Sequence, residues 1–122
     1  MSEKKIILVV DDEEDIRKLL SDFLESKSYR VLTAEDGSQA LELARTHVPD
    51  LIITDMLLPK VHGVEVAQLI KDNFFIPVVG ISGVYKKEEI DQKTDDFYLD
   101  GFFEKPIDLE ALFQKIQSIW NA

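Results

Sequence analysis

The chain has no cysteine, which excludes disulfides and thiolate metal sites together. It is also poor in cations: 14 Lys and Arg stand against 24 Asp and Glu, a formal net charge of -10. Phosphate backbones are gripped by clustered Lys and Arg, so direct nucleic-acid binding is not expected. A bound cation or a basic protein partner suits that balance better. No apolar stretch approaches a membrane-spanning length, and Met1–Lys5 lead straight into a strand-like run without an apolar signal segment. The expectation is a cytoplasmic domain with no membrane contact. Glycine and proline are scarce too, at 5 and 4 residues, and no repeat, low-complexity tract or linker divides the chain. What remains is an ordinary globular composition, 45% apolar and 31% charged over 122 residues, enough for one core. One domain over residues 1–122 is expected.

Along the chain, short β-branched runs alternate with longer segments of helical period. Residues 5–10, 30–34, 51–54, 76–81 and 101–104 read as strands. Ile16, Leu19, Leu20, Phe23 and Leu24 mark one helical face. Asp36 is placed to cap a second helix, with Gln39 at the capping-box distance, and Pro49-Asp50 stop it. Val66, Ala67 and Ile70 give a short third helix. Asp108 caps a last one carrying Leu109, Leu112, Phe113, Ile116, Ile119 and Trp120. Residues 84–100 carry no single stripe, and a short or mobile helix is expected there. Strands that alternate with helices specify an α/β fold: a doubly wound, five-stranded parallel sheet with helices on both faces. Ligands then bind beyond the carboxyl ends of the strands.

Those ends hold the unusual residues. The first strand runs into Asp11-Asp12, the third into Asp55, the fourth into Ser82-Gly83 and the fifth into Lys105-Pro106. Two unit charges about 4 Å apart repel by roughly 4 kcal/mol at an effective dielectric of 20. Three neighbouring aspartates must therefore raise their pKa values or share a cation. Few carboxylates with room for water suit Mg²⁺, with Mn²⁺ as a substitute; Ca²⁺ asks for more oxygens. A carboxylate beside a cation can also attack phosphorus, and Lys105 and Ser82 are then placed to neutralise and hydrogen-bond the phosphoryl oxygens. Taken singly, an Asp after a strand is a turn former and Ser-Gly a loop. Their convergence on one sheet edge carries the chemical reading. His47 and His62 have no partner pattern for metal or catalysis, and Trp120 reads as core.

With those residues in place, the chain resembles the receiver domain of two-component response regulators over essentially its whole length. The matching motifs are Val9-Val10-Asp11-Asp12-Glu13, Asp55-Met56-Leu57-Leu58-Pro59 with Gly63 eight positions past Asp55, Ser82-Gly83, and Lys105-Pro106. The resemblance implies a flavodoxin-like sheet of order 2-1-3-4-5. It implies that Asp55 is the phosphoacceptor, charged by a sensor histidine kinase or a histidine phosphotransfer protein. Asp11, Asp12 and Asp55 would hold Mg²⁺ with the Met56 carbonyl. Lys105 would pair with the phosphoryl group, and the Lys105-Pro106 bond would be cis. Ser82 and Phe102 would be the switch pair, acting on an unknown downstream protein target or on a homodimer formed on phosphorylation.

The chain departs from the usual pattern at Phe102, commonly Tyr, at Gly83, commonly Ala, and at Tyr98, commonly Gly. Leu57 and Val84 are apolar where relatives position the hydrolytic water, so slow loss of the phosphoryl group is expected and no other enzyme activity. The alternatives are a degenerate receiver acting as a phosphorylation-independent interaction module, an aspartyl phosphatase and a flavin-binding domain. Leu57 stands where such a phosphatase carries its second acid, and Asp11 to Glu14 would repel a flavin phosphate.

Overall fold

Five short apolar runs pair into one parallel sheet. In the computed structural model, which describes residues 4–56, 63–83 and 99–121, the strands are β1 (Ile6–Val10), β2 (Arg30–Ala34), β3 (Leu51–Asp55), β4 (Val78–Ser82) and β5 (Gly101–Glu104). Their order is β2-β1-β3-β4-β5, with every neighbouring pair parallel. Helices α1 (Glu14–Ser26), α2 (Gly37–His47), α3 (Gly63–Asn73) and α4 (Leu109–Trp120) cover it. The fold is the doubly wound α/β sheet that the alternating pattern demands.

Strand alternation sorts the core into two layers. Ile7, Val9, Leu51, Ile53, Val79 and Ile81 pack against Leu20 and Leu24 of α1 and against Leu112 and Ile116 of α4. Leu8, Val10, Ile52, Val78 and Phe102 face Ala40 and Ala44 of α2 and Val66, Ala67 and Ile70 of α3. β3 and β4 are buried along their whole length, the signature of central strands in a parallel sheet. Each buried Leu or Ile contributes about 1.5–3 kcal/mol. Edge strand β2 instead exposes Arg30 and Thr33.

Several boundaries differ from the sequence expectation, each for a local reason. β4 starts at Val78 rather than at residue 76. Pro77 has no N–H for the ladder, although its carbonyl accepts from Ile52 N at 3.0 Å. β3 and the carboxyl end of β4 each run one residue further than expected, so Asp55 and Ser82 are themselves ladder residues. Asp36 caps α2 by accepting from Gln39 N at 2.9 Å. The return bond of the capping box is displaced by one residue: Gln39 Oε1 accepts from Glu35 N at 3.0 Å. Asp108 caps α4 through Ala111 N at 3.1 Å.

Trp120 packs half-buried against the α1/α4 layer, as a core reading requires. His47 is exposed at the end of α2. The expectations for Leu57, Pro59, His62, Val84 and Tyr98, and for most of the 84–100 segment, lie outside the described residues. Among the described residues no helix is long and apolar enough to cross a membrane.

Candidate functional site

The carboxyl ends of β1, β3, β4 and β5 are adjacent because the strand order brings them together. Asp11 follows β1 directly and is fixed through nearly all its polar atoms. Its amide donates to Ala34 O at 3.1 Å, its carbonyl accepts from Arg17 Nη1 at 2.7 Å, and its Oδ1 accepts from Glu13 N at 2.8 Å. The remaining oxygen, Oδ2, is fully buried and makes no directed hydrogen bond. Lys105 Nζ lies 2.8 Å from it as an ion-pair partner. Burial raises the Asp11 pKa above the ordinary value of 3.8, and Asp55 adds to the rise, while Lys105 and the Glu13 amide oppose it.

Asp55 closes β3 and is 6% exposed. Lys105 Nζ donates to its Oδ2 at 2.8 Å and to Glu13 Oε1 at 3.0 Å. Burial alone would lower the Lys105 pKa, but the carboxylates of Asp11, Asp55 and Glu13 outweigh it and hold the ammonium above its usual range. The backbone of Lys105 is anchored as well: its amide donates to Ser82 O at 2.9 Å, and the following bond to Pro106 is cis, as the resemblance implies. Ser82 ends β4 fully buried. Among the described residues, a Cβ on Gly83 would meet Lys105 carbons at 3.9 Å, an ordinary contact.

The sequence-predicted residues Asp11, Asp12, Asp55 and Lys105 therefore meet at one place. Carboxylate oxygens of Asp11, Asp12, Glu13 and Asp55 lie within 4.8 Å of one another. An all-oxygen, all-carboxylate set fits a hard divalent cation, and the buried Asp11 Oδ2, facing the Lys105 ammonium, is a ligand atom for one. Glu13 belongs to this cluster too, a role that the sequence pattern does not assign it. Its signal was contiguity with the acidic pair.

Phe102 is buried in the α2/α3 layer with Met56 and Leu99. Its register partner is Gly80, where an added Cβ would stand 2.8 Å from Met56 Sδ and 2.9 Å from a Leu99 methyl. The missing side chain of Gly80 is what admits those two neighbours. Met56 is thus a packing residue by its side chain, while its amide continues the sheet to Ile81 O at 3.0 Å.

Comparison with known proteins agrees with this geometry. The family described as "Response regulator receiver domain" matches residues 7–117. The chain is 39% identical over 117 residues to the alkaline phosphatase synthesis transcriptional regulatory protein PhoP of Bacillus subtilis, covering 94% of this chain and 48% of that protein. It thus spans about half the length of that relative. It is 32% identical to the polar-differentiation response regulator DivK of Brucella anthropi, covering 93% of this chain and 94% of that one. Among solved structures, it is similar to the chemotaxis response regulator CheY4 of Vibrio cholerae, with a TM-score of 0.85, 28% identity, and coverage of 96% and 99%.

Proposed function

The chain belongs to the response regulator receiver domain family, and from that premise we propose that Asp55 is its phosphoacceptor. The observation that carries the reading is the seating of Asp55 and Lys105: a nearly buried carboxylate at a strand end, with an ammonium 2.8 Å from Oδ2. A nucleophilic carboxylate needs a cation that follows the charge from its own oxygen to the phosphoryl oxygens. Lys105 can do so from where it stands.

In the proposed step an Asp55 oxygen attacks the phosphorus of a phosphohistidine on a sensor histidine kinase or histidine phosphotransfer protein. The P–O bond forms and the P–N bond breaks. The electron pair leaves with the imidazole nitrogen, which takes up a proton. Lys105 turns from the Asp55 carboxylate toward the new phosphoryl group, and the Ser82 hydroxyl donates to it. Mg²⁺, with Mn²⁺ as its substitute, would be held by Asp11, Asp12 and Asp55 with the Met56 carbonyl, and supplies neutralisation of phosphoryl oxygens. Output passes through Ser82 and Phe102 to a downstream protein target or a second copy of the chain. Slow loss of the phosphoryl group and a cytoplasmic setting complete the reading.

Incubation with acetyl phosphate, with and without Mg²⁺, tests it by mass. The expected result is a gain of one phosphoryl group that needs the metal and vanishes in Asp55→Ala. No gain under any condition would instead favour a phosphorylation-independent interaction module.

A further inference from the structure

Lys105 makes two directed hydrogen bonds from its ammonium, to Asp55 Oδ2 at 2.8 Å and to Glu13 Oε1 at 3.0 Å. The first of these is spent in the reaction, because it goes to the carboxylate that becomes the acyl phosphate. An ammonium is a compact charge on a flexible four-carbon stem. Once its bond to Asp55 is exchanged, its direction depends on what else holds it. The ion pair with Asp11 Oδ2, at 2.8 Å, holds the ammonium from the buried side. Glu13, hydrogen-bonded at 3.0 Å, is the anchor on the solvent side, among the described residues, that survives transfer.

The local structure of Glu13 points the same way. Glu13 occupies the N-cap position of α1 with extended backbone, φ -89° and ψ 116°, and makes no side-chain capping bond. Caps favour Ser, Thr, Asp and Asn because a short side chain folds back onto the N2 or N3 amide. Here a longer carboxylate forgoes that bond and crosses 92 residues of sequence to Lys105. Its side chain is 59% exposed, against 13% for Lys105. It therefore holds the ammonium from the solvent side, while Asp11 and Asp55 hold it from within.

We infer that Glu13 is a positioning residue for phosphoryl transfer, acting through Lys105: it keeps the ammonium aimed across the site while the partner on Asp55 changes. This rests on the reading of Asp55 as phosphoacceptor. The role belongs to the accepting oxygen and not to the negative charge, so a neutral acceptor of the same length serves in its place.

The test compares Glu13→Gln with Glu13→Ala. Both remove the charge, and only the second removes the acceptor. With acetyl phosphate and saturating Mg²⁺, Glu13→Ala is expected to be phosphorylated about fivefold more slowly than Glu13→Gln, the order of one hydrogen bond. Melting temperatures of the two should agree, since the side chain is exposed. A second readout is independent of phosphorylation: the ¹⁵N ammonium resonance of Lys105 is slow to exchange only while its hydrogens are held. It should be visible in wild type and Glu13→Gln and broadened in Glu13→Ala. Equal phosphorylation rates in the two variants, or a Lys105 ammonium signal unchanged in Glu13→Ala, would overturn the inference. Failure of wild type to take up phosphate defeats the phosphoacceptor reading instead, and the resonance then decides the Glu13–Lys105 contact alone.

Discussion

The two ends of the sheet use aspartate in opposite ways. At the amino end, Asp50 and Asp100 make the same pattern of bonds. Asp50 donates from its amide to Ile6 O at 2.8 Å and accepts from Ile6 N on Oδ2 at 2.7 Å. Asp100 donates to Val78 O at 2.7 Å and accepts from Val78 N at 2.8 Å. Each carboxylate takes up the first amide of a neighbouring strand, where the ladder has no further backbone to offer. Lys71 Nζ adds a 2.5 Å contact to Asp100, and Trp120 Nε1 donates to Asp50 O at 3.3 Å. At the carboxyl end, Asp11, Asp12, Glu13 and Asp55 crowd together around Lys105. One end is satisfied within the fold. The other is held in a state that a cation or a phosphoryl group would improve, which is what separates a stabilising carboxylate from a reactive one.

The largest effect expected from this contrast is at the amino end. Asp50→Ala strands the Ile6 amide and should destabilise the fold by about 1–3 kcal/mol, with no change in the response to Mg²⁺. Asp11→Asn at the other end should do the reverse. It keeps an oxygen for the Glu13 amide but removes a buried charge whose pKa is raised. Apo stability should rise by up to about 1 kcal/mol, and the Mg²⁺-dependent increase in melting temperature should disappear. Thermal unfolding of both variants with and without Mg²⁺ checks the pair. A loss of apo stability in Asp11→Asn as large as that in Asp50→Ala would erase the distinction.

The site end was the more legible of the two in the sequence. Asp11, Asp12, Asp55 and Lys105 announce themselves because ionisable groups directly follow apolar runs, and chain order alone puts those runs in one parallel sheet. The sheet and its helices were legible for the same reason, since periodicity is a local property. What stayed hidden depends on distance in space. Asp50 and Asp100 look like turn formers, and nothing local shows that each reaches the first amide of another strand. Glu13 looks like one more acid at a helix start until its contact across 92 residues is seen. Gly80 reads as a weak strand residue, and only packing reveals Met56 and Leu99 in the space of its missing Cβ. Boundaries moved by a residue or two where Pro77 or a cap decided them.

Titration separates the two ends as well. The folded-state pKa of Asp11 lies above its ordinary 3.8 because of burial. Between those two values the folded protein binds more protons than the unfolded chain, so this group's contribution to stability falls as pH rises through that window. A divalent cation needs the deprotonated carboxylate, so its stabilisation has the opposite sign with pH. The gain in melting temperature given by a fixed Mg²⁺ concentration should therefore shrink as pH falls from neutral toward 3.8. Lys105, held above its ordinary 10.5, stays charged throughout this range and adds no slope of its own. A Mg²⁺ increment independent of pH down to that value would remove Asp11 from the cation site.

The smallest effect is also the one that tests whether the amino end is as settled as its aspartates suggest. Val48, the first residue beyond α2, has φ 43° and ψ 69°, a left-handed conformation that costs an L-residue about 1–2 kcal/mol and suits a β-branched one poorly. It is followed by Pro49 and then by Asp50, whose paired bonds to Ile6 fix where the chain must arrive. The strain is local and is held by what lies next to it. Glycine adopts that conformation freely but loses more freedom on folding, by about 0.5–1 kcal/mol. Val48→Gly should therefore stabilise the protein by less than about 1 kcal/mol, visible as a modest rise in melting temperature, with the Mg²⁺ response and phosphorylation untouched. A melting temperature at or below that of wild type would mean that Val48 carries no such strain. A gain would show that the amino end tolerates a local defect because its aspartates over-determine the register, whereas at the carboxyl end the tension lies in the functional groups themselves.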